Sequence, residues 1–285
     1  MKIWLGVFVI LFPATVFSWN ALGHRLIAQI AYDQMSSHAK QTFDSYNHAL
    51  DKVYKPQTWV NSAVWLDTLR HQDINWFATM HYIDIPFSDD GSALPFPQDV
   101  NALWAIERSR HLLLNKYATS FDKGIALRIL IHVVGDIHQP LHAVTKISAE
   151  LPKGDRGGNL VLLDDNPVAK NLHSYWDKGA GLLGTKNYNE TQIEKRAAKI
   201  EKRWPCKQLD LDSTPAQWAN ESHILAIKRV YKLPVDEHYQ INAQKISEKR
   251  IAIAGCRLGA LLNKIDENTT ALALKGRGSR RYSRS

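Results

Sequence analysis

Residues 123–141, KGIALRILIHVVGDIHQPL, carry apolar side chains at helical spacing and predict a helix. His132 and Asp136 lie four residues apart in this stretch, so they share one face of the helix. Pro140 ends or bends the helix, which lets His142 point at a neighbouring site. The stretch therefore predicts a helix that presents an imidazole and a carboxylate together.

The rest of the chain is dominated by the same helical pattern. Breaks rich in proline and glycine at residues 84–97, 152–158 and 178–184 separate the periodic segments, and Asp99 is the expected N-cap of the helix that follows it. Residues 158–163 are the best candidate for a strand. The periodic segments are residues 21–46, 60–69, 101–114, 191–202, 215–230 and 237–264. With no internal repeat and no dividing linker, the sequence predicts an all-α, single-domain multi-helix bundle with long functional loops and at most a short hairpin.

The first 18 residues have the pattern of a secretory signal peptide. Lys2 gives the positive start, residues 3–17 are mostly apolar, and Val16 and Ser18 are small enough for the cleavage positions. Cleavage after Ser18 leaves Trp19 as the first residue of the mature chain. We therefore expect an exported protein, secreted or periplasmic, with no integral membrane association once the signal is removed.

The formal net charge of +8 is concentrated at the end of the chain, where residues 275–285 hold five positive charges. Those charges and Lys2 account for most of the excess, so the remainder is close to neutral. Bulk charge therefore gives no argument for nucleic-acid binding. We expect one folded domain over residues 19–266 and a disordered basic tail over residues 267–285.

The sequence contains two cysteines, Cys206 and Cys256. An oxidising compartment allows them to form one disulfide. Two separate buried thiols are the alternative, and the sequence leaves both open because it gives no distance between them.

A second histidine–carboxylate pair, His173 and Asp177, repeats the four-residue spacing. One such pair is weak evidence, because a buried ion pair or a solvated helix face gives the same pattern. Two pairs together with His142 favour a metal site. Imidazole and carboxylate ligands without cysteine are typical of catalytic zinc sites, not of structural sites rich in thiolates. The sequence therefore predicts a multinuclear metal site.

Four further residues complete the candidate ligands. Asp67 lies in the motif WLDTLR at 65–70 and His81 in MHYID at 80–84, and after cleavage the α-amine of Trp19 is a nitrogen donor five residues before His24. The alternative is that Trp19 merely begins the mature chain and His24 is a surface histidine. His138 lies off the face that carries the first pair, so we expect it to be structural.

These motifs occur together, and in the same order, in one known family. They are WNALGH at 19–24, the segment with Asp67 and Arg70, HYIDIP at 81–86, HVVGDIHQPLH at 132–142, GGN at 157–159, NLHSYWD at 171–177, WANES at 218–222 and AGCRLGALLN at 254–263. The chain resembles the S1/P1 nuclease family, the secreted zinc-dependent single-strand nucleases and 3′-nucleotidases. That resemblance implies a helical fold shared with zinc-dependent phospholipase C and a zinc-dependent nuclease domain over residues 19–266.

The resemblance implies three zinc ions. One is held by Asp67, His81, His132 and Asp136, a second by the amine and carbonyl of Trp19 with His24 and Asp136, and the third by His142, His173 and Asp177. A competent donor fills every one of these positions, which favours an active enzyme.

The resemblance also implies an activity, in which single-stranded DNA and RNA are cut to 5′-phosphorylated nucleotides and 3′-nucleotides lose their phosphate. Asp67 and Asp136 take part in catalysis, and the guanidinium of Arg70, one turn beyond Asp67, reaches a phosphoryl oxygen. A surface pair between Arg70 and Asp73 is the alternative.

Three residues are expected to bind the substrate. Tyr82 offers a ring on which any base can stack, Asp84 accepts hydrogen bonds from a base edge, and Asn159 contacts the substrate from the GGN turn. Core packing is the alternative for Tyr82, and a purely conformational turn is the alternative for Asn159. Because stacked bases in a duplex cannot enter such a pocket, single strands are preferred.

Two other functions remain open at this point. A zinc-dependent phospholipase C has a similar fold and ligand set, but its last ligand pair is His and Glu, whereas this chain has His173 and Asp177. The other is a secreted metal-binding protein without catalysis. Arg70 argues against this alternative, because metal binding alone gives an arginine no role.

Overall fold

The computed structural model describes residues 19–281 apart from residues 71, 73 and 185. The side chains of residue 70 and of residues 272–281, and the expected signal peptide at residues 1–18, lie outside the description. The helices are α1 (Ala21–Gln34), α2 (Ser37–His48), α3 (Trp59–Ser62), α4 (Trp65–Arg70), α5 (Ala102–Leu114), α6 (Ser120–Ile137), α7 (Leu172–Asp177), α8 (Glu190–Arg203), α9 (Pro215–Leu225) and α10 (Glu237–Arg281). Two strands, β1 (Pro86–Phe87) and β2 (Thr145–Lys146), and short helical turns lie between them; the turns are Ala49–Lys52, Ala78–His81, Pro140–Ala143, Gly179–Gly181, Cys206–Gln208 and Ala226–Val230. The prediction of an all-α fold is confirmed.

Helix α6 lies at the centre of the bundle because most of its side chains are apolar and buried. Its first turn is fixed by a capping box, in which Thr119 and Asp122 accept each other's backbone N–H groups. Helices α2, α4, α5 and α10 all pack against it. The polar side chains near the end of α6 are therefore held inside the protein.

Helices α1 and α10 approach each other closely at two glycines of α10. A Cβ atom on Gly255 would lie 2.6 Å from side-chain atoms of Ile30, and one on Gly259 would lie 2.9 Å from the backbone oxygen of Ala31. Such distances leave no room for a larger residue. Helix packing therefore explains both glycines of the AGCRLGALLN motif.

Two helical segments differ in extent from the prediction. The segment expected at residues 21–46 is divided into α1 and α2, because Met35 has an extended backbone and the side chain of Ser36 caps α2. Helix α10 continues beyond residue 264 to Arg281 and thus crosses the expected start of the basic tail. The boundary of that tail stays a prediction.

The N-cap of α5 is Asn101, whose side chain accepts a hydrogen bond from the N–H of Trp104. The prediction that Asp99 caps this helix is wrong. Capping requires a side chain within reach of the first free N–H groups, and Asp99 lies two residues too early.

The two strands form a parallel pair in which Pro86 lies opposite Thr145 and Phe87 opposite Lys146. They therefore differ from the short hairpin allowed by the sequence, because a hairpin joins antiparallel strands. The strand candidate at residues 158–163 contributes one isolated antiparallel bridge, between Leu162 and Asn171.

Cys206 and Cys256 form a disulfide, which joins the turn after α8 to α10. Of the two alternatives left open by the sequence, the disulfide is the correct one. Within the described part of the chain, no helix has both the length and the apolar character needed to cross a bilayer.

Candidate metal centre

Helix α6 and the turn that follows it deliver three candidate ligands to the interior. His132 and Asp136 lie on adjacent turns of α6 and are fully buried. The side chain of Gln139 accepts a hydrogen bond from the N–H of Leu141, and Pro140 begins a short helical turn that contains the buried His142. The bend expected at Pro140 therefore carries His142 into the protein.

Asp136 is the centre of the first group of ligands. One carboxylate oxygen lies 3.3 Å from Nε2 of His24, and the other lies 2.9 Å from Nδ1 of His81 and 3.3 Å from Nε2 of His132. Asp67 Oδ1 completes the group at 3.6 Å from Nε2 of His132 and 4.0 Å from Nδ1 of His81. Two overlapping sets of donors result, one containing His24 and one containing His81, and either could hold a metal ion.

A separate group is formed by His142, His173 and Asp177. The Nε2 atoms of the two histidines lie 3.2 Å apart. The carboxylate of Asp177 lies 3.8 Å from Nε2 of His142 and 3.7 Å from Nε2 of His173. The four-residue spacing on α7 thus brings its histidine and carboxylate to one point, and this group could hold a third ion.

Hydrogen bonds to backbone carbonyls fix the tautomers of three of these histidines. Each Nδ1 donates at 2.7 Å, from His132 to Ala63, from His142 to His81 and from His173 to Gly157. In a neutral imidazole the Nε2 atom then carries a lone pair. The lone pairs of His142 and His173 therefore point at each other across 3.2 Å, beside a carboxylate. The two lone pairs and the carboxylate repel one another unless a cation lies between them.

Three carboxylate oxygens in the two groups lack a hydrogen-bond donor. Among the described residues, Oδ1 of Asp67, Oδ1 of Asp136 and Oδ2 of Asp177 are buried atoms with no hydrogen-bond partner. Leaving such oxygens unsatisfied is costly, and metal coordination satisfies them. The donor set therefore fits divalent cations.

The electrostatics of the groups agree with this conclusion. Burial raises the pKa of Asp177 to about 8. Burial alone would lower the pKa of His132, but the charges of Asp136 and Asp67 outweigh it and raise that pKa to about 9. Burial also lowers the pKa values of His24 and His81. A bound cation would stabilise the ionised carboxylates and the neutral imidazoles that ligation requires.

His24 is one of the donors of the first group, and Trp19 lies beside that group. Trp19 is fully buried and His24 is 1% exposed, so the alternative of a surface histidine at position 24 is wrong. The residue after Trp19, Asn20, donates its backbone N–H to the carbonyl of Asp177 at 2.9 Å and caps α1 with its side chain. The start of the domain is therefore fixed against the helix that carries the last ligand pair.

The family model of the S1/P1 nucleases matches residues 19–267. The chain belongs to the S1/P1 nuclease family. The match covers both groups of ligands and most of the described chain, so the S1/P1 resemblance drawn from the motifs is confirmed.

Curated relatives of the same family are similar over most of this chain. Endonuclease 1 of Arabidopsis thaliana is 27% identical over 299 residues, which cover 94% of each chain. Nuclease S1 of Aspergillus oryzae is 26% identical over 278 residues, which cover 87% of this chain and 92% of that protein. Nuclease P1 of Penicillium citrinum is 26% identical over 165 residues, which cover 56% of this chain and 57% of that protein. These relatives give no support to the phospholipase C alternative.

Tyr82 and Asp84 follow the candidate ligand His81 in this S1/P1 family member, and both are partly exposed. The carbonyl of Tyr82 accepts the N–H of Ala102 at 3.0 Å, which ties this segment to the start of α5. Burial raises the pKa of Asp84 to about 6, and the nearby charge of Asp155 adds to the effect. The carboxyl group of Asp84 thus lies close enough to His142 for the two to interact electrostatically, and a base-binding role for Tyr82 and Asp84 stays a prediction.

The GGN turn is shaped by its glycines. Gly157 and Gly158 have φ angles of +60° and +79°, and a Cβ atom on Gly157 would lie 2.3 Å from the carbonyl oxygen of Leu141. Asn159 is 8% exposed and donates its side-chain N–H to the carbonyl of Arg156 at 2.8 Å. The turn therefore has a conformational role, and a contact between Asn159 and the substrate stays a prediction.

Arg70 is the last residue of α4, three residues after Asp67. Its side chain, and the residue Asp73 that is its alternative partner, lie outside the described part of the chain. The role of Arg70 stays a prediction.

Gln139 is a residue that the sequence analysis missed. It is fully buried, and its side-chain nitrogen donates to Oδ1 of Asp177 at 2.7 Å. Its place inside HVVGDIHQPLH was the only sequence signal, because a glutamine three residues after a ligand has no diagnostic spacing.

His138 points away from the metal centre, as expected. Its Nδ1 donates to the carbonyl of Val134 at 2.7 Å, and its Nε2 accepts from Arg257 at 3.1 Å. Arg257 also binds Glu221, so the WANES and AGCRLGALLN motifs meet beneath the end of α6.

Proposed function

We propose that this member of the S1/P1 nuclease family is a zinc-dependent phosphodiesterase. It hydrolyses single-stranded DNA and RNA to 5′-phosphorylated nucleotides, removes the phosphate from 3′-nucleotides, and acts outside the cytoplasm after loss of residues 1–18. The observation that carries the proposal is the pair of imidazole Nε2 atoms of His142 and His173, 3.2 Å apart beside Asp177.

Zinc fits this donor set, because histidine and carboxylate ligands occur together in catalytic zinc sites. The proposed ligands are Asp67, His81, His132 and Asp136 for one ion, the amine and carbonyl of Trp19 with His24 and Asp136 for a second, and His142, His173 and Asp177 for a third. The geometry of Asp136 supports its assignment to both of the first two ions, because one carboxylate oxygen faces His24 and the other faces His132.

Bound zinc supplies Lewis acidity, which lowers the pKa of water and offsets the negative charge of phosphoryl oxygens. Asp67 is suited to orient the attacking water, because its side chain is 16% exposed whereas those of His132 and Asp136 are fully buried. Arg70 follows one turn later on α4, and we assign to its guanidinium the stabilisation of a phosphoryl oxygen.

The base of the nucleotide is bound beside the metal centre. Tyr82 stacks on the base, which every nucleobase allows, and Asp84 binds the base edge. Asn159 contacts the substrate from the GGN turn. A base can enter this pocket only when it is unstacked, so single strands are the substrate class.

The direct test is a panel of substrates for the zinc-loaded enzyme. We expect rapid release of acid-soluble nucleotides from denatured DNA and RNA, slow release from duplex DNA, and release of phosphate from a 3′-nucleotide but not from a 5′-nucleotide. Equal rates on denatured and duplex DNA would contradict the assignment of Tyr82 and Asp84 to binding of an unstacked base. No turnover of any of these substrates at full zinc occupancy would overturn the proposed function.

A further inference from the structure

A groove lined by cations follows α10, and none of the residues that line it belongs to the metal centre. It consists of two cavities of about 630 Å³ each, which share Lys228, Arg229 and Ile246. The helical turn Ala226–Val230 and the residues after it form one wall, and α10 forms the other. We call this feature the basic groove.

Five exposed cations line the basic groove. They are Lys228, Arg229, Lys232, Lys245 and Lys249. Within the described part of the chain, none of the five makes an ion pair, although Lys249 lies 5.4 Å from the ring centre of Trp204. Their charge is therefore available to a ligand.

The acidic side chains of the groove are already engaged. Asp236 accepts a backbone N–H in the first turn of α10, Asp210 accepts one within its own turn, and Glu221 is bound by two arginines. The carboxylates of Asp236 and Asp210 remain charged, but the groove is lined by seven cations, the five exposed ones with Arg250 and Arg257, against these three acidic side chains. The field in the groove is therefore positive and favours an anion.

The shape of the groove points to a polyanion and not to a single phosphate. Lys245 and Lys249 are one helical turn apart on α10, and the cations of the facing wall extend along both cavities. Exposed apolar side chains, Ile224 in one cavity and Leu233 in the other, lie between the charges. Repeated cations with apolar surface between them match repeated phosphates joined by sugars and bases.

The groove begins close to the proposed active site. Trp176 lines it, and the next residue, Asp177, belongs to the third group of ligands. Both residues lie on α7, and a helix with its side chains is about 10 Å across. The groove and the third group of donors therefore lie on either side of α7, about one helix diameter apart.

We propose that the basic groove binds the phosphodiester backbone of a single-stranded polynucleotide outside the catalytic site, and so increases the affinity of the enzyme for long strands. This inference rests on the proposed function, because it concerns the same substrate. It predicts that long strands depend on the groove and that a single nucleotide does not.

The test compares two triple variants of the zinc-loaded enzyme. The first carries Lys228→Glu, Arg229→Glu and Lys232→Glu in the groove; the matched control carries Lys195→Glu, Lys199→Glu and Lys202→Glu, three exposed lysines of α8. For a long single strand at low salt we expect KM to rise about tenfold in the groove variant and to stay within about twofold in the control. The kcat and KM for a 3′-nucleotide stay unchanged in both.

Binding gives a second readout that needs no turnover. Anisotropy of a labelled, phosphorothioate-linked strand reports the affinity as salt is increased. Each lost phosphate contact lowers the salt slope by about 0.7 for single strands, so the slope of the groove variant falls by about 2. If the charge reversals prevent folding, Lys245→Gln with Lys249→Gln on the other wall tests the same surface.

Three outcomes would overturn the inference. One is an equal effect of both triple variants on long strands. Another is an equal loss for the 3′-nucleotide, which indicates a structural defect. The third is unchanged strand binding with loss of binding to anionic phospholipid vesicles. Failure of the proposed function is distinguishable, because the wild-type enzyme would then turn over neither substrate while strand binding could still be measured.

Discussion

The indole nitrogen of Trp19 donates a hydrogen bond to the carbonyl oxygen of Gly135 at 3.0 Å. Gly135 directly precedes Asp136, the residue on which the first group of ligands is centred. The ends of a chain normally fray, so a terminal amine can act as a ligand only if its residue is held in place. This hydrogen bond, together with complete burial of the ring, holds Trp19 beside the proposed zinc site.

We expect Trp19→Phe to lower zinc occupancy as well as stability. The change removes one of the two hydrogen bonds to the carbonyl of Gly135, which keeps the N–H of His138, and leaves a space beside α6, at a cost of about 2 to 4 kcal/mol in the free energy of unfolding. The control is Trp59→Phe, which removes a similar buried bond, from the indole of Trp59 to the carbonyl of Ala28 at 2.8 Å. Denaturant unfolding and zinc analysis should show similar losses of stability, but loss of zinc only for Trp19→Phe. Equal zinc in the two variants would contradict this anchoring role.

Gln139→Ala should weaken the third zinc site. The side chain of Gln139 donates to Asp177 at 2.7 Å and so orients a proposed ligand, and removal of such a partner typically costs 10- to 100-fold in metal affinity or activity. Gln29→Ala is the control, since Gln29 is buried and bonded to a carboxylate far from the ligands, that of Asp33. Zinc affinity measured with a competing chelator should fall only in the first variant; the same affinity in both would show that Gln139 is dispensable.

Tyr82→Ala should raise KM for denatured DNA by about 5- to 160-fold, because stacking of a base on an aromatic ring contributes about 1 to 3 kcal/mol. Tyr82→Phe keeps the ring and should retain a KM close to that of the wild type. Steady-state kinetics decide between stacking and core packing. A large loss of stability in Tyr82→Ala with an unchanged KM would favour core packing.

The stability of the metal-free protein should depend on pH through Asp84. Its pKa is raised to about 6, mainly by burial, so between pH 4 and pH 6 the folded protein holds a proton that the unfolded chain releases. The contribution of this group to stability is therefore present at low pH and is lost as the pH rises through 6. Relative to the wild type, Asp84→Asn should gain up to about 3 kcal/mol between pH 4 and pH 7 in denaturant unfolding. The exposed Asp164→Asn is the control; the same pH trend in both variants would refute the assignment to Asp84.

The sequence predicts the helices and the grouping of the candidate ligands better than the long-range contacts around them. The spacing of His132 and Asp136, and of His173 and Asp177, was sufficient because a helix places residues four apart on one face. The parallel contact between β1 and β2 was not predicted, because long-range pairing leaves no local pattern in strands of two residues. Gln139 was missed for a similar reason, since its partner Asp177 is 38 residues away.

Zinc per chain, measured together with hydrolysis of denatured DNA, decides whether the three sets of donors hold zinc that the reaction needs. The wild-type protein beginning at Trp19, His173→Ala, and the exposed control His111→Ala would be compared. We expect about three zinc ions for the wild type and the control, one for each of the three sets of donors, and about two with little activity for His173→Ala. Full zinc and full activity in His173→Ala, or wild-type activity that survives removal of all zinc, would contradict this expectation.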